Sequence, residues 1–191
     1  MDIRDFFFRN RGYIPIPLAI IILTFASIKI ELLLIGVILV VTGELLRLNC
    51  VRYAGGETRT LKVGASALCS SGPFAYLRNP LYFGNVIIYA GMVFIAGGEF
   101  VWILLPATLT FFFLEYGLII SLEEETLRKK FNEEYGEYLS MVPRLIPRVT
   151  PWKGGSETVP MTIEKTLRTE KRTLQIIGGF ILLLILRVTL L

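Results

Sequence analysis

Long blocks of apolar residues constrain this chain more than any other feature of its sequence. Five blocks fall at 13–28, 30–48, 81–97, 100–121 and 174–191, and most approach the length of about 20 residues that a helix needs to cross a bilayer. Only helices or closed barrels satisfy their own backbone hydrogen bonds in lipid. The sequence therefore predicts an all-α, polytopic membrane protein with about five transmembrane helices.

The basic residues predict how those helices are oriented. Of the 20 Lys and Arg residues, all except Lys29 and Arg187 fall on the cytoplasmic side if the N-terminus is cytoplasmic. The positive-inside rule favours that orientation. The net charge of +4 then follows from topology, and it gives no reason to expect a nucleic-acid partner.

The residues available for chemistry are limited, because the chain lacks histidine and has only two cysteines, Cys50 and Cys69. Catalysis by Ser-His-Asp or Cys-His sets is excluded, and two cysteines without histidine do not make a zinc site. Both cysteines are expected on the reducing cytoplasmic side, where a structural disulfide is rare. We therefore expect no metal site and no disulfide, and any chemistry must use carboxylates, Arg, Asn, Tyr and a cofactor.

Polar residues are concentrated in two stretches, 49–80 and 122–173, both expected at the cytoplasmic face. Residues 122–140 predict a helix that continues the fourth membrane segment, with an apolar stripe at Leu127, Phe131, Tyr135 and Tyr138. Three prolines in "VPRLIPRVTPW" end that helix. We expect one membrane domain over 1–150, and over 151–191 a linker, a short charged helix and a fifth membrane helix. The N-terminus carries two Asp residues and no small-residue cleavage site follows the first apolar run, so it does not resemble a cleaved signal peptide.

The stretch "SSGPFAYLRNPLYFGN", residues 70–85, is polar and turn-rich although apolar blocks flank it. Gly72 and Pro73 indicate a turn. Asn79 suits an N-cap and Pro80 the first turn of a helix, so we expect the third membrane helix to begin near Pro80 with its free N–H groups at the interface. An ordinary capped helix start, with Arg78 reaching the lipid headgroups, is the simpler alternative.

Carboxylates near the apolar blocks are the other candidates. Glu123, Glu124 and Glu125 follow the fourth block, where they form either a solvated acidic face or a site for a cationic or hydroxyl-rich ligand. Glu115 lies inside that block without an obvious partner, whereas Glu44 has Arg47 one turn away. Ionisable residues at membrane depth are costly and are therefore functional candidates.

Together, "SSGPFAYLRNPLYFGN", the Glu pair and "FNEEYGEYLSMVPRLIP" resemble the isoprenylcysteine carboxyl methyltransferase and phospholipid methyltransferase superfamily over about residues 43 to 147. Members of that superfamily are small integral-membrane enzymes that use S-adenosylmethionine. Their pattern is Gly-Pro-Tyr-x-Tyr-x-Arg-His-Pro-x-Tyr-x-Gly, then Glu-Glu, then Phe-Gly-x-Glu-Tyr-x-x-Tyr-x-x-x-Val-Pro. Two motifs in the right order with the right gap make the resemblance specific.

The resemblance implies a set of residues that bind S-adenosylmethionine at the cytoplasmic membrane face. Its carboxylate suits an arginine or a helix N-terminus, and its cationic and hydroxyl groups suit carboxylates. Carried over to matching positions, the implied cofactor-binding residues are Leu68, Cys69, Phe74, Arg78, Asn79, Pro80, Tyr82, Glu123 and Glu124.

Two departures from the family pattern bear on chemistry. Asn79 replaces the family histidine, and it hydrogen-bonds but does not titrate. Ile119 stands where the isoprenylcysteine enzymes have a substrate-binding arginine, four residues before the Glu pair, which argues against prenylated cysteine as the substrate. No residue is identified as catalytic, and Glu115 is the buried carboxylate available if a base is needed.

The expected function is transfer of a methyl group to a lipid or lipophilic acceptor, in the plasma membrane of a prokaryote. The residues do not specify the acceptor or the oligomeric state. Two alternatives remain: a NADPH-dependent membrane reductase, since sterol reductases end in a similar motif, and a non-enzymatic membrane scaffold on a degenerate methyltransferase fold.

Overall fold

The structure is a computed structural model that describes residues 2–190, and within that range all regular secondary structure is helical, without strands. The helices are α1 (Ile3–Asn10), α2 (Ile16–Thr24), α3 (Ile30–Ala54), α4 (Pro80–Ala96), α5 (Val101–Met141) and α6 (Ile163–Leu190). Short 3₁₀ turns lie at Gly55–Arg59, Gly72–Ala75 and Gly98–Phe100. The all-α prediction is confirmed.

The helix boundaries refine the predicted segments. The block at 81–97 corresponds to α4, and the block at 30–48 becomes the longer α3. The block at 100–121 and the polar helix after it form one continuous helix, α5, which bends at Asn132 (φ 43°). The charged segment and the last block likewise merge into α6. The first block contributes only the nine-residue α2 and is preceded by α1, which was not predicted.

Two helical segments, Gly98–Met141 and Ile163–Leu190, are long and apolar enough to cross a membrane. This number is smaller than the predicted count of about five. Pro80–Ala96 is apolar but has only 17 residues, and α2 has nine.

The packing of α3 against α4 rests on two pairs of facing glycines. A Cβ built on Gly43 would lie 2.8 Å from the Gly84 carbonyl oxygen, and one on Gly91 would lie 2.7 Å from that of Gly36. Both distances are too short for a real contact, so the two backbones touch directly. Small residues permit such close approach between membrane helices. The seven-residue spacing within each helix keeps both contacts on one face, and this feature was missed in the sequence.

The segment after α5 folds back and is held against the turn-rich stretch by backbone hydrogen bonds. The Arg78 N–H donates to the Pro143 carbonyl (3.0 Å) and the Trp152 N–H to the Ala75 carbonyl (2.9 Å). The predicted stripe on α5 packs with Leu68 and Trp152 in a small second core. Consequently the stretch at 70–79 is fixed between the start of α4 and the end of α5.

Candidate functional site

A cavity of about 150 Å³, here called the first cavity, lies where α4 begins beside the middle of α5. Seven of the nine implied cofactor-binding residues line it: Leu68, Cys69, Phe74, Arg78, Asn79, Tyr82 and Glu123. The other two, Pro80 and Glu124, are adjacent but do not line it. The structure thus brings together residues from three separated segments, and their role as cofactor ligands stays a prediction.

The turn that precedes α4 requires glycine at position 72. Gly72 has φ 59°, a left-handed conformation that favours glycine, and a Cβ there would lie 2.5 Å from the Tyr53 ring. The 3₁₀ turn Gly72–Ala75 then directs Phe74 and Arg78 into the first cavity. This is the physical reason for the glycine of the Gly-Pro pair in the motif.

Asn79 stands at the N-cap position of α4, as predicted, but its side chain makes no capping hydrogen bond. Its amide instead donates to Glu124 Oε1 at 3.5 Å. The first N–H groups of α4 are therefore not used by this side chain. The amide that replaces the family histidine points toward the Glu pair.

Two arginines hold the Glu124 carboxylate. Arg78 Nη1 lies 3.3 Å from Glu124 Oε1, and Arg144 forms a second, bidentate ion pair with the same carboxylate. Arg78 therefore points into the protein and does not reach toward lipid headgroups. Its Nε is buried and has no hydrogen-bond partner within residues 2–190. A buried donor without a partner is unusual and marks a position where a ligand acceptor can bind.

Glu123 faces the first cavity, beyond the apolar stretch that ends at residue 121. Burial raises the pKa of its carboxyl to about 7, and interactions with the Tyr82 hydroxyl and with Arg11 oppose this shift. A carboxyl that titrates near neutral pH can hold or release a proton under working conditions. Sequence reasoning had selected Glu115 for that role, and Glu123 is a further candidate.

Aromatic residues of α5 form the opposite wall. Tyr135 and Tyr138 are almost fully buried, and the Tyr138 hydroxyl donates to the Phe74 carbonyl at 2.8 Å. This bond connects α5 to the turn before α4. Burial raises the pKa of the Cys69 thiol to about 11, so that this cysteine remains a neutral thiol.

The N-terminal helix α1 and its C-cap residue, Arg11, supply side chains that were not predicted from the sequence. Phe8 and Arg11 line the first cavity, and Arg11 donates to the carbonyls of Phe8 (2.7 Å), Thr58 (3.3 Å) and Thr60 (2.8 Å). Arg4 anchors the helix through an ion pair of 2.9 Å with Glu125. The available signal was the segment "DFFFRNR", in which apolar and basic residues are close together ahead of the first block.

A second cavity of about 160 Å³ adjoins the first and lies among α3, α4, α5 and α6. Arg11, Thr58, Leu81 and Tyr82 line both cavities. Along α4 the second cavity is lined by Tyr82, Asn85, Ile88, Tyr89 and Met92, a set that repeats every three to four residues and so lies on one helix face. Ile176 and Ile177 of α6 lie on the same cavity.

A buried polar network crosses the second cavity. Arg47 Nη2 contacts Glu170 Oε2 at 2.7 Å, and Arg47 Nη1 donates to the Asn85 side chain. The Asn85 amide donates in turn to the Tyr116 hydroxyl at 3.0 Å. The predicted Glu44–Arg47 pair is confirmed at 3.5 Å. The partner from α6 was not predicted, because 123 residues separate Glu170 from Arg47.

Glu115 is 2% exposed, and both of its carboxyl oxygens lack a hydrogen-bond partner in the part of the chain that the structure describes. It is not among the residues that line either cavity. As a base it is less well situated than Glu123.

Comparison with known proteins gives one family match. The model of the phospholipid methyltransferase family matches residues 32–134, which is more than half of the chain. The match covers α3, α4 and most of α5, and both Glu residues of the pair. It leaves α1, α2 and α6 outside.

Two curated relatives are named for metal resistance. The nickel-cobalt-cadmium resistance protein of Alcaligenes xylosoxydans xylosoxydans is 29% identical over 130 residues, covering 68% of this chain and 56% of its own length. The cobalt-zinc-cadmium resistance protein of Cupriavidus metallidurans is 30% identical over 124 residues, covering 64% of this chain and 51% of its own length. The chain therefore spans about half the length of the curated relatives it matches. No solved structure matches.

Proposed function

The chain belongs to the phospholipid methyltransferase family, and on that premise we propose that it is an integral-membrane, S-adenosylmethionine-dependent methyltransferase acting on a lipidic acceptor. One observation carries the proposal. Residues from the loop before α4, from α4 itself and from α5 converge on the first cavity, and they include a carboxyl with a pKa of about 7.

The residues of the first cavity fit S-adenosylmethionine. The buried Arg78 Nε has no partner within residues 2–190 and can donate to a ligand carboxylate. Glu123 offers an anionic group to a cationic ligand, and Phe74 and Tyr135 offer apolar surface to an adenine ring. Glu124 does not line the cavity, but it contacts Arg78 and Asn79 and holds both side chains in position.

S-Adenosylmethionine would supply a methyl group whose carbon–sulfur bond breaks with its electron pair remaining on sulfur, while a lone pair of the acceptor forms the new bond. The protein mainly aligns the two reactants, an effect that can contribute roughly 7–11 kcal/mol in favourable cases. A hydroxyl or amine acceptor must also lose a proton. The Glu123 carboxylate, with Tyr82 beside it, is in position to accept that proton.

We further propose the topology expected from the sequence: five membrane segments, a cytoplasmic N-terminus and, in a prokaryote, residence in the plasma membrane. Exposed apolar side chains support this arrangement. They occur on α3 at Leu34, Ile38, Val41 and Leu45, and on α6 at Leu182 and Leu183. Contact with lipid tails is the ordinary explanation for such outward-facing residues on apolar helices.

The direct test is transfer of a tritiated methyl group into lipid. Purified protein in nanodiscs of total bacterial polar lipid is incubated with methyl-tritiated S-adenosylmethionine, and radioactivity is counted in the organic phase. The parent is expected to label a lipid-soluble product, and the Glu123→Gln, Glu124→Gln variant is expected to lose most of that activity.

The control is Glu133→Gln, Glu134→Gln, which changes two exposed carboxylates of the same helix and should keep full activity. Absence of labelled lipid with well-folded parent protein would contradict the methyltransferase proposal. Binding to immobilised NADPH would then support the reductase alternative, and absence of both would support the scaffold.

A contribution to metal resistance is a second candidate, because both relatives are named for resistance to cobalt and cadmium. It is compatible with methyl transfer. The test is growth of a deletion strain on cobalt or cadmium, complemented with the parent or with the Glu123→Gln, Glu124→Gln variant. Restored growth with the parent alone would tie resistance to the first cavity, and unchanged growth in the deletion strain would remove this candidate.

A further inference from the structure

The chain that follows α5 forms a short loop, residues 142–149, which we call the fold-back loop. One end is held where the Arg78 N–H donates to the Pro143 carbonyl at 3.0 Å. The other end is held where the Arg148 N–H donates to the Tyr76 carbonyl at 2.9 Å. Two backbone hydrogen bonds therefore fasten the base of the loop to the residues that precede α4.

Side chains of the same segment reinforce this closure. The Arg148 guanidinium donates to the carbonyls of Met141 and Thr150, on either side of the loop. Pro143 and Pro147 lie within the loop, and the proline ring restricts φ at each of these positions. These constraints stiffen the loop, so that its tip is presented in a defined position.

The tip of the fold-back loop exposes apolar side chains. Leu145, Ile146 and Val149 are all exposed, with 79% of Ile146 and 97% of Val149 accessible. These residues lie outside the apolar helices, so contact with the hydrocarbon core of a bilayer does not account for them. Exposed apolar groups that lie close together mark a surface that contacts a membrane or another molecule.

The base of the loop lies beside the start of a membrane helix. Tyr76, which accepts the bond from the Arg148 N–H, precedes Pro80 and the first turn of α4 by four residues. The proposed topology places that turn at the cytoplasmic surface of the bilayer. The Tyr76 side chain is itself exposed, and tyrosine is enriched at the interface between membrane and water. The loop is thus fastened at the depth of the lipid headgroups.

The charges around the loop favour an anionic lipid surface. Residues 141–156 include Arg144, Arg148 and Lys153 and no Asp or Glu. Arg144 pairs with Glu124, whereas the side chain of Arg148 bonds to neutral carbonyls and Lys153 is exposed. The positive charge that remains is attracted to the anionic lipids of a cytoplasmic leaflet.

We propose that the tip of the fold-back loop inserts into the cytoplasmic leaflet and that anionic phospholipid is its partner. Leu145, Ile146 and Val149 enter the boundary between headgroups and acyl chains, and Arg148 and Lys153 contact lipid phosphates. The inference rests on the membrane topology given with the proposed function. It assigns a lipid-binding role to a segment that lies outside the residues matching the family.

The fold-back loop also connects the bilayer surface to the first cavity. Arg144 belongs to the loop and forms a bidentate ion pair with Glu124. Glu124 in turn contacts Arg78 and Asn79, which line the first cavity. Insertion of the tip therefore holds the polar wall of that cavity at the membrane surface.

The test is the fluorescence of a nitrobenzoxadiazole label attached to Val149→Cys. The protein is placed in nanodiscs of phosphatidylcholine and phosphatidylglycerol, and the same treatment of the parent measures background from the buried Cys50 and half-buried Cys69. The emission is expected to shift to shorter wavelength. Spin-labelled lipid is expected to quench the label, and aqueous iodide is expected to have little effect.

Two reference positions calibrate the signal. Leu183→Cys, on the exposed apolar face of α6, should be quenched by spin-labelled lipid. Glu134→Cys, at an exposed position on the polar part of α5, should be quenched by iodide. Absence of lipid quenching at Leu183→Cys would contradict the proposed topology, and the loop inference would fall with it.

A tip variant and a change of lipid test the two parts of the inference. Leu145→Ser, Ile146→Ser, introduced into the Val149→Cys protein, is expected to lose most of the quenching by lipid. Val159→Ser, at a 90% exposed position outside the loop, is the matched control and should leave it unchanged. Nanodiscs of phosphatidylcholine alone should reduce the quenching, and this arm needs no variant that might fail to fold.

The inference is overturned if iodide quenches the label at Val149→Cys and lipid does not. It is also overturned if the emission shifts without quenching by lipid, because a protein surface would then cover the loop. Full lipid quenching in the well-folded tip variant would exclude insertion through Leu145 and Ile146. Equal quenching with and without phosphatidylglycerol would exclude anionic phospholipid as the partner.

S-Adenosylmethionine binding, measured on the same proteins, separates this inference from the proposed function. Lipid quenching at Val149→Cys in a protein that does not bind the cofactor would contradict the methyltransferase proposal and support the loop contact. A water-exposed loop in a protein that binds the cofactor would overturn the loop contact alone.

Discussion

The two cavities meet at Tyr82, and they are built in different ways. The first is formed by a turn, the start of α4 and the polar half of α5, fastened by backbone hydrogen bonds from Arg78 and Trp152. The second lies among helices, and a buried ion pair between residues 123 positions apart crosses it. Residues of the quoted motifs build much of the first cavity, whereas the second depends on how a distant helix packs.

The largest expected effect is a loss of protein stability when the buried ion pair of the second cavity is broken. Arg47→Leu removes a buried guanidinium that lies 2.7 Å from Glu170 and 3.5 Å from Glu44, and breaking a buried ion pair typically costs about 3–5 kcal/mol. We expect a large loss of thermal stability in detergent. Arg168→Leu is the control, because Arg168 pairs with Glu164 on the exposed surface of α6, where such pairs contribute about 0–1 kcal/mol. Equal stability of the two variants would show that the α3–α6 network contributes little.

The next prediction concerns the first cavity and the pH dependence of its affinity for the cofactor. Glu123 has a pKa raised to about 7, so it is largely protonated below that pH and anionic above it. Affinity for the cationic cofactor should therefore increase with pH, by about tenfold between about pH 6 and about pH 8 for one coupled proton. Calorimetry at several pH values measures this dependence.

The matched variant for that titration is Glu123→Gln, which removes the titrating group. Its affinity should be lower at high pH and nearly independent of pH. A parent affinity that falls as pH rises would have the wrong sign and would exclude Glu123 as an anionic contact. Fluorescence-monitored unfolding at each pH checks that the protein remains folded.

The smallest expected effect concerns the connection between α5 and the turn. Tyr138→Phe removes the hydroxyl that donates to the Phe74 carbonyl at 2.8 Å, and loss of one such bond costs about 1 kcal/mol. We expect a modest decrease in thermal stability and an affinity for S-adenosylmethionine that falls by a few-fold. Tyr13→Phe, at a 72% exposed position, should change neither quantity. An unchanged Tyr138→Phe protein would show that this bond does not fix the turn.

The sequence predicted the helices from apolar block length, and it predicted the continuity of α5 because residues 122–140 lack proline and are rich in good helix formers. The family resemblance named nine residues, and seven of them line the first cavity. The second cavity was not predicted, since it depends on the packing of α6 against α3. The short α1 was missed because its eight residues give too short a pattern to be distinguished from a polar terminus.

The α3–α4 contact was missed for a similar reason. Nothing in the two apolar blocks alone shows which glycines face one another. The pairing becomes visible only when the two helices are packed together, and it involves Gly36, Gly43, Gly84 and Gly91. Asn79 illustrates the opposite case, in which the position was predicted and the bond was not. Its amide binds Glu124 and leaves the helix end uncapped by its side chain, because tertiary contacts outweigh a local capping preference.

The central claim is that the first cavity binds S-adenosylmethionine through the Glu pair and the turn before α4. Calorimetry on detergent-purified parent protein, beside Glu123→Gln, Glu124→Gln and the exposed control Glu133→Gln, Glu134→Gln, tests it most directly. The account predicts binding by the parent and the control, with affinity reduced about 100-fold or more in the first variant if each lost charged contact contributes about 1.5–3 kcal/mol. No binding by well-folded parent protein, with or without added lipid, would contradict it.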